Sequence, residues 1–136
     1  MNRKPLILCA DDSTNILDGW KTVLELQGYE VLTAADGSEA LQEFVSHPVD
    51  LVLLDYHMPQ MNGDVAAAHM KACKIDVPIA LMSADDLTPL SELKAVDALV
   101  SKSESVITIL RIVDHLLSLR FLFEPLEGLG IHEDAV

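Results

Sequence analysis

The residues best suited to chemistry in this chain share one feature: each follows an apolar run. Asp11 and Asp12 follow "LILCA", Asp55 follows "LVLL", Ser83 follows "IALM" and Lys102 follows "ALVS". A near-continuous apolar run reads as a strand buried on both faces, an expensive neighbourhood for a carboxylate. Two carboxylates about 5 Å apart repel by roughly 3 kcal/mol at an effective dielectric near 20, so three together require protons or a cation. An all-oxygen site with few protein ligands and room for water suits Mg2+, and the spaced oxygen ligands of a calcium loop are absent. A cation beside one lysine and one serine offers three kinds of partner to the oxygens of a phosphoryl group. Asp55, ending a rigid strand, could then attack phosphorus and form an acyl phosphate. Taken singly, each residue has a plainer role. Asp11 or Asp12 could cap a helix, Ser83 could sit in a turn, and Lys102 could be solvated.

Convergence depends on the elements that carry these residues. Strand-like runs occupy 5–10, 30–34, 49–54, 77–82 and 97–100, and helical periodicity fills 13–27, 38–46, 64–73 and 86–95. A long last helix is expected to start near Ser103. Gly28 suits a helix C′ position, and Pro48 should end the second helix before it. Strands alternating with helices argue an α/β fold, a parallel sheet covered on both faces. By analogy the fold is flavodoxin-like and doubly wound, (βα)5 with strand order 2-1-3-4-5. That order sets the first and third strands side by side and gathers the chemical residues at one edge.

The chain has 136 residues, enough for one domain with one core. No apolar run approaches the roughly 20 residues of a membrane span, and the stretch before Asp11 is too short for a secretory signal, so no membrane insertion and a cytoplasmic location are expected. Cys9 and Cys73 are read as reduced thiols. With 22 acidic against 9 basic residues, the net charge of −13 argues against direct nucleic-acid contact.

The set of motifs over roughly residues 5–120 resembles the receiver domain of two-component response regulators. "ADD" resembles the acidic pair after the first strand, and "DYHMPQMNG" the phosphoacceptor aspartate with its Met-Pro and Gly. "MSA" resembles the switch hydroxyl, and "VSKS" holds the lysine. The resemblance implies that Asp55 accepts a phosphoryl group from a sensor histidine kinase or a histidine phosphotransfer protein. It implies that Asp12 and Asp55 bind Mg2+ directly, Asp11 through water, and the His57 backbone carbonyl as well. Lys102 and Ser83 would contact the phosphoryl oxygens, and the output would be contact with an unknown downstream protein. By the same resemblance, His57 and Asp85 would occupy positions that tune attack of water on the acyl phosphate. Two departures stand out. Ser103 replaces the family's usual proline after the lysine, and Leu99 replaces the aromatic residue that swings inward with the switch hydroxyl.

The receiver is expected over 1–123 with a tail at 124–136, acting by autocatalytic phosphoryl acceptance and self-dephosphorylation rather than as an enzyme. On the last helix, Ile112 and Leu119 extend the apolar stripe to about half the circumference, beyond that of an ordinary surface helix. Either the tail folds back over this surface or, the reading adopted, the surface is a dimer or partner interface, a homodimer through the last helix being one such partner. Two other functions use related chemistry. A haloacid-dehalogenase-type phosphatase needs a second acid two residues after the nucleophile, where His57 stands. A flavodoxin-like cofactor binder needs a phosphate loop after the first strand, where "ADDST" would repel phosphate.

Overall fold

The apolar runs form five parallel strands: β1 (Leu6–Ala10), β2 (Glu30–Ala34), β3 (Leu51–Asp55), β4 (Ile79–Ser83) and β5 (Ala98–Ser101). A computed structural model describes residues 3–84 and 95–128, the last six by backbone alone. Its sheet has the order β2-β1-β3-β4-β5, as expected by analogy. The helices are α1 (Thr14–Leu26), α2 (Gly37–Ser46), α3 (Gly63–Cys73) and α4 (Val106–Gly128). The helix expected at 86–95 falls almost wholly outside the described residues. Among the described residues, no helix is long and apolar enough to cross a membrane.

Every residue of β1, β3 and β4 is buried, because helices cover both faces. Alternation along each strand divides the core in two. Leu8, Val52, Leu54, Ile79 and Leu81 pack with Phe44 of α2 and Met70 of α3. Ile7, Leu51, Leu53 and Met82 pack on the other face with Leu17 and Leu24 of α1 and with Ile109 and Val113 of α4. Cys9 belongs to this second core, where burial pushes its thiol up to about 12 and leaves it inert, whereas Cys73 is exposed.

Local signals set the helix ends. Ser13 caps α1, its Oγ accepting from the Ile16 N–H, so neither Asp11 nor Asp12 is spent on that cap. Gly28, at φ 94°, closes α1 in a Schellman arrangement: the Gly28 N–H donates to the Glu25 carbonyl and the Tyr29 N–H to that of Leu24. Asp36 caps α2, while Glu39 reaches back to the Ala35 N–H at 2.8 Å. The last helix begins at Val106 rather than near Ser103, because residues 101–104 form a turn around Lys102 and Ser105 then supplies the capping oxygen to the Thr108 N–H.

Candidate functional site

Hydrogen bonds at the strand ends place each chemical residue. The Asp11 N–H donates to the Ala34 carbonyl at 3.1 Å, so Asp11 continues the ladder one residue past β1. The Tyr56 N–H donates to the Met82 carbonyl at 2.8 Å, and the Lys102 N–H to the Ser83 carbonyl at 2.9 Å. In register, Asp55 lies opposite Met82 and Ser83 opposite Ser101. Parallel pairing therefore brings the ends of four strands to one edge, where a crossover reverses direction.

Asp11 and Asp55 are buried, Asp12 is exposed, and one oxygen from each lies within 4.8 Å of the other two. The Lys102 ammonium sits between the buried pair, 2.9 Å from Asp11 Oδ2 and 3.0 Å from Asp55 Oδ1. The remaining oxygen of Asp11 accepts from the Ser13 N–H at 2.9 Å. Asp55 Oδ1 also accepts, weakly, from the His57 N–H at 3.4 Å.

Burial pushes the Asp55 carboxyl above the ordinary carboxylate range and the neighbouring Asp11 charge adds to the rise, outweighing the hydrogen bond from Lys102. Lys102 is also raised: burial alone would lower it, but its bonds to Asp11 and Asp55 hold the proton more strongly. Among the described residues, three carboxylates against one ammonium leave two negative charges in excess, which matches a divalent cation. The residues therefore fit Mg2+, a hard ion that is bound through one or two carboxylates and keeps several waters, leaving the third carboxylate to act through water.

The loop after Asp55 is tightly packed. The Gly63 N–H donates to the Tyr56 carbonyl at 2.7 Å, and a Cβ on Gly63 would collide with the Asp55 carbonyl oxygen and lie 2.7 Å from Leu81 Cδ1. Gly63→Ala is thus expected to lower stability by about 2 kcal/mol or more, since neither backbone nor core can give way freely. Urea denaturation tests this, and an unchanged midpoint would contradict the close approach. In the same loop, Gln60 adopts a φ of 69°, a conformation uncommon for a residue with a side chain.

Among the other expected site residues, Ser83 is buried at the end of β4. His57 is exposed and stands edge-on to Tyr56, ring centroids 4.7 Å apart. Leu99 is half-buried against the α2–α3 core, and Asp85 lies outside the described residues. On α4, Ile112 packs partly against the core while Leu119 is exposed. The sequence reading passed over the pairing of Ser101 with Ser103, whose Oγ atoms lie 2.7 Å apart around the lysine. The replacement of proline by serine was the available signal.

This fold and acidic edge define a doubly wound α/β module with a candidate cation site at the strand ends, and the comparisons give its family. The response regulator receiver domain family matches residues 7–111. The transcriptional regulatory protein PrrA of Mycobacterium bovis is 36% identical over 80 residues, 59% of this chain and 34% of that protein. The response regulator SaeR of Staphylococcus aureus is 36% identical over 78 residues, 57% of this chain and 34% of that protein. The chain thus spans about a third of the length of these curated relatives. Among solved structures, the response regulator TrrA of Thermotoga maritima in complex with Mg2+-BeF superposes with a TM-score of 0.79 at 35% identity, covering 82% of this chain and 98% of that one. A CheY-like receiver domain from Methanospirillum hungatei gives a TM-score of 0.81 at 27% identity, covering 87% and 97%. The chain belongs to the response regulator receiver domain family, the receivers of two-component response regulators.

Proposed function

We propose that Asp55 is the phosphoacceptor, taking the group from a phosphohistidine on a sensor kinase or phosphotransfer protein. An Asp55 carboxylate oxygen forms the new O–P bond as the P–N bond breaks, and the departing imidazole takes up a proton. Asp12 and Asp55 are assigned as direct Mg2+ ligands, with the His57 backbone carbonyl beside them and Asp11 acting through water. When bound, the ion would neutralise the carboxylates and the incoming phosphoryl oxygens. Lys102, already within 3.0 Å of Asp55 Oδ1, would pair with a phosphoryl oxygen, and Ser83 would donate its hydroxyl to another. His57 and Asp85 would tune attack of water on the product, making dephosphorylation autocatalytic.

One observation carries this reading: a single ammonium bridges buried carboxylates from two different strand ends, with a third carboxylate beside them. Acetyl phosphate with Mg2+ should add one phosphoryl group per chain, labile to hydroxylamine as an acyl phosphate is. Sustained turnover of a phosphate ester without a covalent adduct would favour the phosphatase instead.

The location is proposed as cytoplasmic, where such kinases present their phosphohistidine. PrrA is named as a transcriptional regulatory protein, yet this segment, at net charge −13, is read as making protein contacts with a downstream effector and none with nucleic acid. A shallow groove of about 430 Å³ on α4, lined by Ala98, Arg111, Ile112, His115 and Leu119, is read as the surface for a second copy. Size-exclusion chromatography with beryllofluoride should show a dimer that Leu119→Glu abolishes; a monomer under all conditions would remove this interface.

A further inference from the structure

We infer that Ser101 is a positioning residue: through Ser103 it holds Lys102 over Asp11 and Asp55. Lysine has a flexible four-carbon stem, and fixing an ammonium on two carboxylates costs side-chain entropy unless its base is held. Four hydrogen bonds hold that base. The Lys102 N–H donates to the Ser83 carbonyl at 2.9 Å, tying the residue to β4. The Ser103 N–H donates to Ser101 Oγ at 3.2 Å, while the two hydroxyl oxygens lie 2.7 Å apart. The Glu104 N–H donates to the Ser101 carbonyl at 3.1 Å and closes the turn.

The bridge spans the residue on either side of Lys102, so it fixes the lysine's own φ and ψ as a serine turn does. A proline at 103 would supply no N–H for this bond. With serine there the N–H is present, and it donates to the side chain of Ser101. No peptide bond among the described residues is cis, so the turn reaches the site with a trans Lys102–Ser103 bond. Ser101 touches neither carboxylate in any contact described, and its effect on the site passes through the lysine.

This role deepens the proposed reading of the site and rests on it for its meaning, but its test stands apart. Lys102 competes with a cation for the oxygens of Asp11 and Asp55, so loosening the lysine should tighten Mg2+ binding. Calorimetric titration with Mg2+ alone should show Ser101→Ala raising affinity about threefold or more, toward the value for Lys102→Ala. The same substitution in the Lys102→Ala background should then change nothing, and Ser101→Thr, which keeps the hydroxyl, should match the wild type. Acceptance from acetyl phosphate should slow in Ser101→Ala and show the same coupling to Lys102. Equal Mg2+ affinity in wild type and Ser101→Ala, or an equal effect with and without the lysine, overturns the inference. Failure of the wild type to accept a phosphoryl group, with the Mg2+ coupling intact, would instead overturn the reading of Asp55 and leave the positioning role supported.

Discussion

Asp55→Asn ends covalent phosphorylation and, without divalent cations, leaves a chain at least as stable as the wild type. The first outcome follows from chemistry, since an amide oxygen is a poor nucleophile toward phosphorus. The second follows from electrostatics. Carboxylate oxygens of Asp11 and Asp55 lie within 4.8 Å of each other, a repulsion of roughly 3 kcal/mol at an effective dielectric near 20. Lys102 offsets this from 3.0 Å but also serves Asp11 at 2.9 Å, so losing Asp55 still leaves the ammonium paired. Burial and the Asp11 charge raise the Asp55 pKa in the folded state, so the folded chain holds that proton more tightly than the unfolded one. Stability therefore falls as pH climbs from the ordinary carboxylate value through the raised one, and the asparagine variant escapes that loss at neutral pH. Saturating Mg2+ should reverse the order. At 100 times its dissociation constant, a bound ion adds about 2.7 kcal/mol to the wild type, and the variant, lacking one ligand, gains far less. Mass spectrometry and thermal melts with and without Mg2+ check all three outcomes. A large loss of stability in metal-free Asp55→Asn, or an equal Mg2+ response in both proteins, would contradict the crowded-carboxylate account.

The sheet was legible because its three central strands are nearly continuous apolar runs and all five are separated by helical periodicity, and each observed strand lies within two residues of its expected range. Asp55 was legible for the same reason, since a charge after "LVLL" has no explanation within its own strand. The late start of α4 was not. It depends on Ser101, Ser103 and Ser105 each taking a backbone N–H or a hydroxyl into a turn, and serine alone does not announce which partner it will choose. The close approach of Gly63 to the Asp55 carbonyl was equally hidden, because a glycine after "MPQMN" reads as an ordinary turn. Asp50 was the largest omission. It sits within "VDLVLL", where it reads as the polar start of a strand, and its partners Arg3 and Arg120 are 47 and 70 residues away. Long arginine side chains reach it from both ends of the chain, a convergence that periodicity does not encode.

Asp50→Asn is accordingly expected to cost about 3–5 kcal/mol, the range for stripping one partner from a buried ion pair, and to lower the melting temperature by roughly 10 °C or more. The carboxylate is wholly buried just before β3, at the end opposite Asp55. Arg3 grips it with two nitrogens at 2.6 and 2.7 Å, the Leu6 N–H donates at 2.8 Å, and Arg120 Nε donates at 3.2 Å. Arg120 also holds the carbonyl and carboxylate of Asp76, so one aspartate ties the N-terminal segment, β3, the α3–β4 connection and α4 together. Burial alone would raise the Asp50 pKa, but the arginines and the Leu6 N–H outweigh it and hold the carboxyl below its ordinary value. The stability this contributes is complete above the unfolded-state value and is lost as pH falls through the lower folded-state one. Urea midpoints should therefore differ most between wild type and Asp50→Asn near neutrality and converge in acid. Acetyl phosphate should still modify the folded fraction, because the clamp lies at the other end of the strand. A neutral variant as stable as the wild type at pH 7, or one that folds yet cannot be phosphorylated, would contradict this separation. Burial raises both aspartates, but at Asp50 the surrounding guanidinium groups outweigh it, whereas Asp55 faces another carboxylate and, among the described residues, shares one ammonium with it. That unmet charge is what leaves Asp55 available to a cation and a phosphoryl group, while Asp50 is fully committed to the fold.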